Sequence, residues 1–171
     1  MEKKRPDLEV YIRYIILLIL GVFISIFYKI FFPLTIYPVY FILNLFYSVS
    51  IAGKMLVFAE GGIEIINACV AGSAYYLLLI LNLTTKIKLK KRIYSILFSI
   101  SSLLILNILR ILFLSILYLN NSVFFDITHK IFWYTLSILF VVAIWFLTVH
   151  IFKIKNIPIY SDFKNLKKQL K

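Results

Sequence analysis

Only one cysteine, five glycines, four prolines and seven acidic residues occur in 171 positions. A single thiol, Cys69, excludes an intramolecular disulfide and any multi-cysteine metal site, so packing alone must hold the fold. The reading therefore includes no cofactor and no metal. Charge is scarce too: 15% of residues are charged, against the quarter usual in soluble domains, while 63% are hydrophobic. The apolar residues come in blocks too long for one water-soluble core of this size to cover. That excludes an ordinary soluble fold and leaves lipid as part of the solvent.

What is plentiful is positive charge, 19 Lys and Arg for a net charge of +12. Its placement argues against a nucleic-acid partner. Lys3, Lys4, Arg5 and Arg13 precede the first apolar block; Lys86, Lys88, Lys90, Lys91 and Arg92 lie between two blocks; Lys153, Lys155, Lys164, Lys167, Lys168 and Lys171 follow the last. Basic residues flanking apolar blocks mark cytoplasmic loops and contact anionic lipid headgroups. Residues 1 to 7 lead into an apolar run with no small-residue cleavage site, so the first block is expected to be retained as a span.

Four blocks, about 10 to 32, 69 to 85, 93 to 119 and 128 to 152, are each long enough for the roughly 20 helical residues that cross a bilayer. The three basic clusters then share one side, which puts both termini in the cytoplasm. A fifth apolar stretch, Ile36 to Ala52, is interrupted by Pro38 and Asn44. If it crossed, it would put the Lys86 to Arg92 cluster outside, so it is read as an interfacial or re-entrant helix. From Lys54 to Asn67, two β-prone runs around Glu60-Gly61-Gly62 predict a short outer β-hairpin, leading to Asn67 as helix N-cap. The expected fold is an all-α polytopic membrane protein: about four transmembrane helices, the re-entrant helix and the hairpin before the cysteine. Residues 1–152 form one membrane-embedded domain and 153–171 a basic cytoplasmic tail with a helical end.

On this topology Cys69, Arg110 and His129, from three different spans, meet near the outer face. Cys69 sits at the start of a span in Asn67-Ala68-Cys69-Val70-Ala71-Gly72-Ser73, where a helix N-terminus activates a thiol and free N–H groups can hold an oxyanion. By itself such a cysteine is usually a small buried hydrophobe. Arg110 lies roughly 14 Å down its span at 1.5 Å per residue, within snorkelling distance of the surface. A guanidinium there costs several kcal/mol unless it faces a protein interior or an aqueous cavity. Asn107, one turn earlier on the same face, can orient it or share its polar pocket, the competing reading being a structural arginine satisfied by Asn107 and exposed carbonyls. His129, otherwise an interfacial histidine, becomes a candidate base beside a thiol, at roughly 3 to 6 Å. Asp126 either caps the fourth span or holds the His129 ring. His150 lies at the other end of the chain's last span, and Glu60 and Glu64 read as hairpin surface residues.

These residues resemble the exosortase and archaeosortase family of membrane-embedded, cysteine-transpeptidase-like sorting enzymes, and the short archaeal members most of all. That family's core carries Ala-Cys-small-Gly, then Asn-x-x-Arg, then His or Arg. Here the matching positions are Ala68-Cys69-Val70-Ala71-Gly72, Asn107-Ile108-Leu109-Arg110 and His129, within a resemblance that runs from about Thr35 to His150. Two details depart from the pattern: the glycine stands three residues after the cysteine where two is commoner, and Phe132-Trp133 follow His129 where small residues are often found.

The resemblance implies cleavage, on the outer side of the cell membrane, of C-terminal sorting signals on exported surface proteins. Such a signal consists of a short motif, one hydrophobic helix and a basic tail, and transfer to a lipid or other acceptor can follow. Cys69 would attack the scissile carbonyl, His129 would act as base and then acid, and Arg110 would stabilise the oxyanion or hold the substrate. Two rival readings keep the same residues. One is a non-catalytic assembly subunit whose Arg110 pairs with a partner's intramembrane carboxylate. The other is a lipid acyltransferase that uses the same thiol.

Overall fold

A computed structural model of the chain describes residues 6–59, 61–85 and 87–154. The tail from residue 155 onward, the Lys3 to Arg5 cluster, Glu60 and Lys86 lie outside the described residues. The chain folds as α1 (Pro6–Val22), α2 (Ser25–Asn44), three short strands, α3 (Asn67–Val70), α4 (Gly72–Leu83), α5 (Leu89–Leu119), α6 (Phe125–Ile131), a π-helical turn (Phe132–Leu136) and α7 (Ser137–Ile151). Two helices, α2 and α5, are long and apolar enough to cross a membrane. The pair α6 and α7, bent by 50° across the π-turn, makes a third if taken as one span. Asn67–Leu83 and Tyr11–Val22 are apolar but shorter, so helix length alone does not yield four spans.

The largest difference from the sequence reading lies in the first 50 residues. The expected span at 10 to 32 is broken at Phe23 and Ile24, and of the stretch read as re-entrant, Ile36 to Asn44 belongs instead to α2, which runs unbroken through Pro33 and Pro38, while Ser50–Ala52 form β1. Each proline removes a helix hydrogen bond, which ordinarily breaks a helix. Here Phe31, Thr35, Ile36, Val39 and Leu43 form a buried stripe at helical spacing, and both prolines lie off it. Tertiary packing of that face holds the helix through the defects. The Phe31 ring stacks on Tyr75 of α4 with centroids 3.6 Å apart.

The long helix α5 organises the rest. Its buried positions Ser95, Ser99, Leu103, Asn107, Ile111 and Ser115 recur every fourth residue, a single inward stripe. At its Lys-rich end this stripe joins a buried polar cluster. The Asn82 amide donates to the Leu78 carbonyl at 2.8 Å and to Ser99 Oγ at 3.3 Å, and its side-chain oxygen accepts from Ser95. Ser99 also bonds Thr148 of α7 at 3.0 Å. In an apolar setting each such bond adds only ~0.6 kcal/mol, but together they set the register of α4, α5 and α7. Arg13 donates to the Leu83 carbonyl at 3.2 Å, so the middle of α1 lies beside the end of α4.

The expected hairpin is a three-stranded antiparallel meander, β1 (Ser50–Ala52), β2 (Met55–Phe58) and β3 (Gly61–Glu64), with β1 added ahead of the two predicted strands. Leu56 and Phe58 turn inward against the helices. The sheet hands the chain directly to Asn67 and the cysteine.

Candidate functional site

Cys69, Arg110 and His129, proposed from sequence on three separate segments, line one cavity of about 270 Å³ between β3, α5 and α6. Its walls are mostly apolar, with Ile63, Ile66, Leu114, Phe132 and Trp133 prominent. The cysteine is placed by a hydrogen bond to its backbone: the Asn107 amide donates to the Cys69 carbonyl at 2.7 Å. Asn107 therefore anchors the cysteine rather than the arginine it was expected to orient.

That bond also sets the depth of the site. Asn107 lies 14 residues beyond Ile93, about 21 Å from the basic end of α5 at 1.5 Å per residue, and about 18 Å short of Leu119. The cysteine is thus recessed to the level of the arginine. The short α3–α4 segment starts well below the far end of α5 and brings Ala68 to Arg110. Arg110 Nη2 donates to the Ala68 carbonyl at 3.3 Å and Nη1 to Ser137 Oγ at 2.9 Å. Its Nε is buried and has no partner among the described residues.

Ser137 is a site residue that sequence reasoning missed. Its hydroxyl donates to the Phe132 carbonyl at 2.8 Å, across the π-turn, while accepting from Arg110. The extra residue in that turn brings Ser137 under the guanidinium, and π-turns inside helices often mark functional positions. No periodicity signals it in advance. Should Arg110 serve the reaction proposed below, Ser137→Ala should lower its rate roughly tenfold, as expected for loss of one hydrogen bond to a charged group, and Ser137→Thr should restore it. Initial rates at matched protein levels test this.

The helix-terminus argument for the thiol does not hold. Cys69 is the third residue of α3, a single four-residue turn, and its own N–H donates to the Ile66 carbonyl at 2.9 Å. That amide is not free to hold an oxyanion. Asn67 is not the N-cap either: β3 runs on in extended conformation to Ile66, which occupies that position, so Asn67 is already helical. Its side chain instead borders a smaller neighbouring cavity with Tyr28, Ser73, Arg110 and Ser137.

α3 ends at Val70, its C-cap Ala71 has a left-handed φ of 57° and ψ of 35°, and α4 starts afresh at Gly72. A side chain in that conformation costs ~1 kcal/mol relative to glycine. The position two after the cysteine, where the resembled family commonly has glycine, is thus one where glycine is at ease. Gly72 serves a different need, since a Cβ there would meet the Tyr28 ring at 2.7 Å. Ala71→Gly should raise Tm by roughly 2–4 °C in detergent, as ~1 kcal/mol does in a chain of this size, whereas Gly72→Ala should lower it.

His129 stacks flat on Phe125, 5.6 Å between centroids, and meets the edge of Trp133 at 6.0 Å. The ring faces the same cavity as the Cys69 sulfur, but the two do not hydrogen-bond to one another. Asp126 plays neither expected role. α6 starts at Phe125 with Phe124 as its N-cap, and Asp126 turns to a separate surface pocket with Asn121 and Ser122. Glu64, read as a surface carboxylate, is exposed but lines the main cavity from β3. Compared with protein-family models, curated proteins and solved structures, the chain matches none.

Proposed function

We propose that this protein is a membrane-embedded cysteine peptidase or transpeptidase that cleaves C-terminal sorting signals of exported surface proteins and passes them to water, a lipid or another acceptor. The observation that carries this reading is the convergence of the chain's single thiol, an intramembrane arginine and a histidine from three segments on one cavity. Cys69 attacks the scissile carbonyl and forms a thioester as the C–N bond breaks. His129 takes the thiol proton and delivers it to the departing amine. With the Cys69 amide already bonded to Ile66, the oxyanion falls to the Arg110 guanidinium, held in place by Ser137 and Ala68. The acceptor then attacks the thioester and returns the thiol.

The mostly apolar cavity suits a scissile bond next to a transmembrane helix. Cleavage on the outer side fits a proposed topology in which α2, in place of residues 10 to 32, is taken as the first of four crossings. The bond from Arg13 to the Leu83 carbonyl keeps the middle of α1 beside the end of α4, which leads into the basic cluster. Both termini then lie in the cytoplasm by the positive-inside bias, and the site opens to the outer leaflet. The assembly-subunit reading is weakened because Arg110 Nη1 and Nη2 already have partners in this chain. The test is to compare the C-termini of surface proteins by mass in cells with and without this protein. Loss of a hydrophobic tail only in its presence is expected; identical C-termini would refute the proposal.

A further inference from the structure

Of the two edges of the sheet beside the cysteine, β1 and β3, the β3 edge borders the cavity and has no strand partner among the described residues. In the β2–β3 register, Leu56 pairs with Ile63 and Met55 with Glu64. The Ile65 N–H donates to the Lys54 carbonyl at 2.9 Å, which makes Lys54 with Ile65, Leu56 with Ile63 and Phe58 with Gly61 the hydrogen-bonded pairs. The alternate residues Gly62 and Glu64 must therefore direct their N–H and C=O groups away from β2. Both residues are exposed and both line the cavity that holds Cys69. An unpaired edge of this kind is a template for another strand.

The opposite wall adds a second, independent sign of a polar ligand. Ser115 is 2% exposed, lines the same cavity, and its hydroxyl has no partner among the described residues. A buried hydroxyl without a partner is costly unless something else supplies the bond. An extended polypeptide meets both walls at once, with alternate backbone groups turned to β3 and others toward α5. A lipid chain would satisfy neither.

We propose that the cavity binds its substrate as an extended segment added to the free edge of β3, with Gly62 and Glu64 giving the backbone bonds and Ser115 receiving a polar group on the far side. This rests on the peptidase reading and specifies how that site recognises its substrate: main-chain pairing sets affinity, while the apolar walls select side chains at every second position.

The probes are acetyl-tetrapeptide chloromethyl ketones of valine and alanine, which alkylate a thiol with loss of chloride, set against chloroacetamide. Cys69 is the only thiol in the chain, so labelling of the full-length protein in nanodiscs is counted by intact mass. Labelling by the tetrapeptide should exceed that by its one-residue analogue. N-methylation at every second residue of the probe should slow it roughly three- to tenfold for each bond blocked, with the intervening residues tolerant. Ser115→Ala should reduce the ratio of tetrapeptide to chloroacetamide labelling. Absence of the length effect, or N-methylation that slows every position alike, overturns strand addition and leaves the cysteine site standing. Failure of chloroacetamide itself to reach Cys69 overturns the peptidase reading, and this inference with it.

Discussion

Replacing Cys69 with alanine is expected to abolish tail removal, a loss of at least ~10³-fold, because the covalent step has no second thiol to use. The side chain is half-buried against the core, and truncation removes one sulfur without leaving a polar atom unpaired, so folding should survive. The Asn107 bond goes to the backbone carbonyl and is unaffected by the change. Cys69→Ser should be nearly as damaging, since a hydroxyl needs a stronger base than a histidine that makes no hydrogen bond to it. The assay is the mass shift of a co-expressed substrate in membranes with equal amounts of each variant. Processing by Cys69→Ala at the wild-type rate would end the cysteine mechanism.

Arg110→Lys should cost ~10²-fold or more, the usual scale for losing a group that stabilises an oxyanion. The guanidinium uses two nitrogens at once, one toward Ser137 on α7 and one toward Ala68 beside the cysteine. Those bonds keep its plane fixed next to the thiol. An ammonium offers a point charge on a flexible stem and cannot hold both partners and the substrate together. Because charge is kept, the loss would come from geometry rather than from net charge. A lysine variant with wild-type activity would mean that Arg110 acts only as a positive charge, or only in packing.

The trio was legible because each member breaks the chemistry around it. A lone thiol, a guanidinium inside an apolar helix and a histidine stand out from their apolar neighbours, and their order resembles the family pattern quoted from the sequence. The course of the first 50 residues was less accessible. Pro33 and Pro38 argue for interruption by local rules, and only the buried face from Phe31 to Leu43 explains why α2 continues. The height of the cysteine along α5 was not legible because it depends on Asn107 meeting the Cys69 carbonyl, a contact between residues 38 apart. Ser137 and the cluster around Asn82 were invisible for the same reason: serine and threonine in apolar helices carry no pattern until their partners are known.

The most direct measurement of the central claim is the mass of the Cys69-containing peptide from wild-type protein acid-quenched during turnover. The peptidase account predicts a thioester to the newly formed C-terminus of a surface protein, lost on hydroxylamine treatment and absent from Cys69→Ala. A fatty acyl group on Cys69, without any polypeptide adduct, would contradict it and identify a lipid acyltransferase instead.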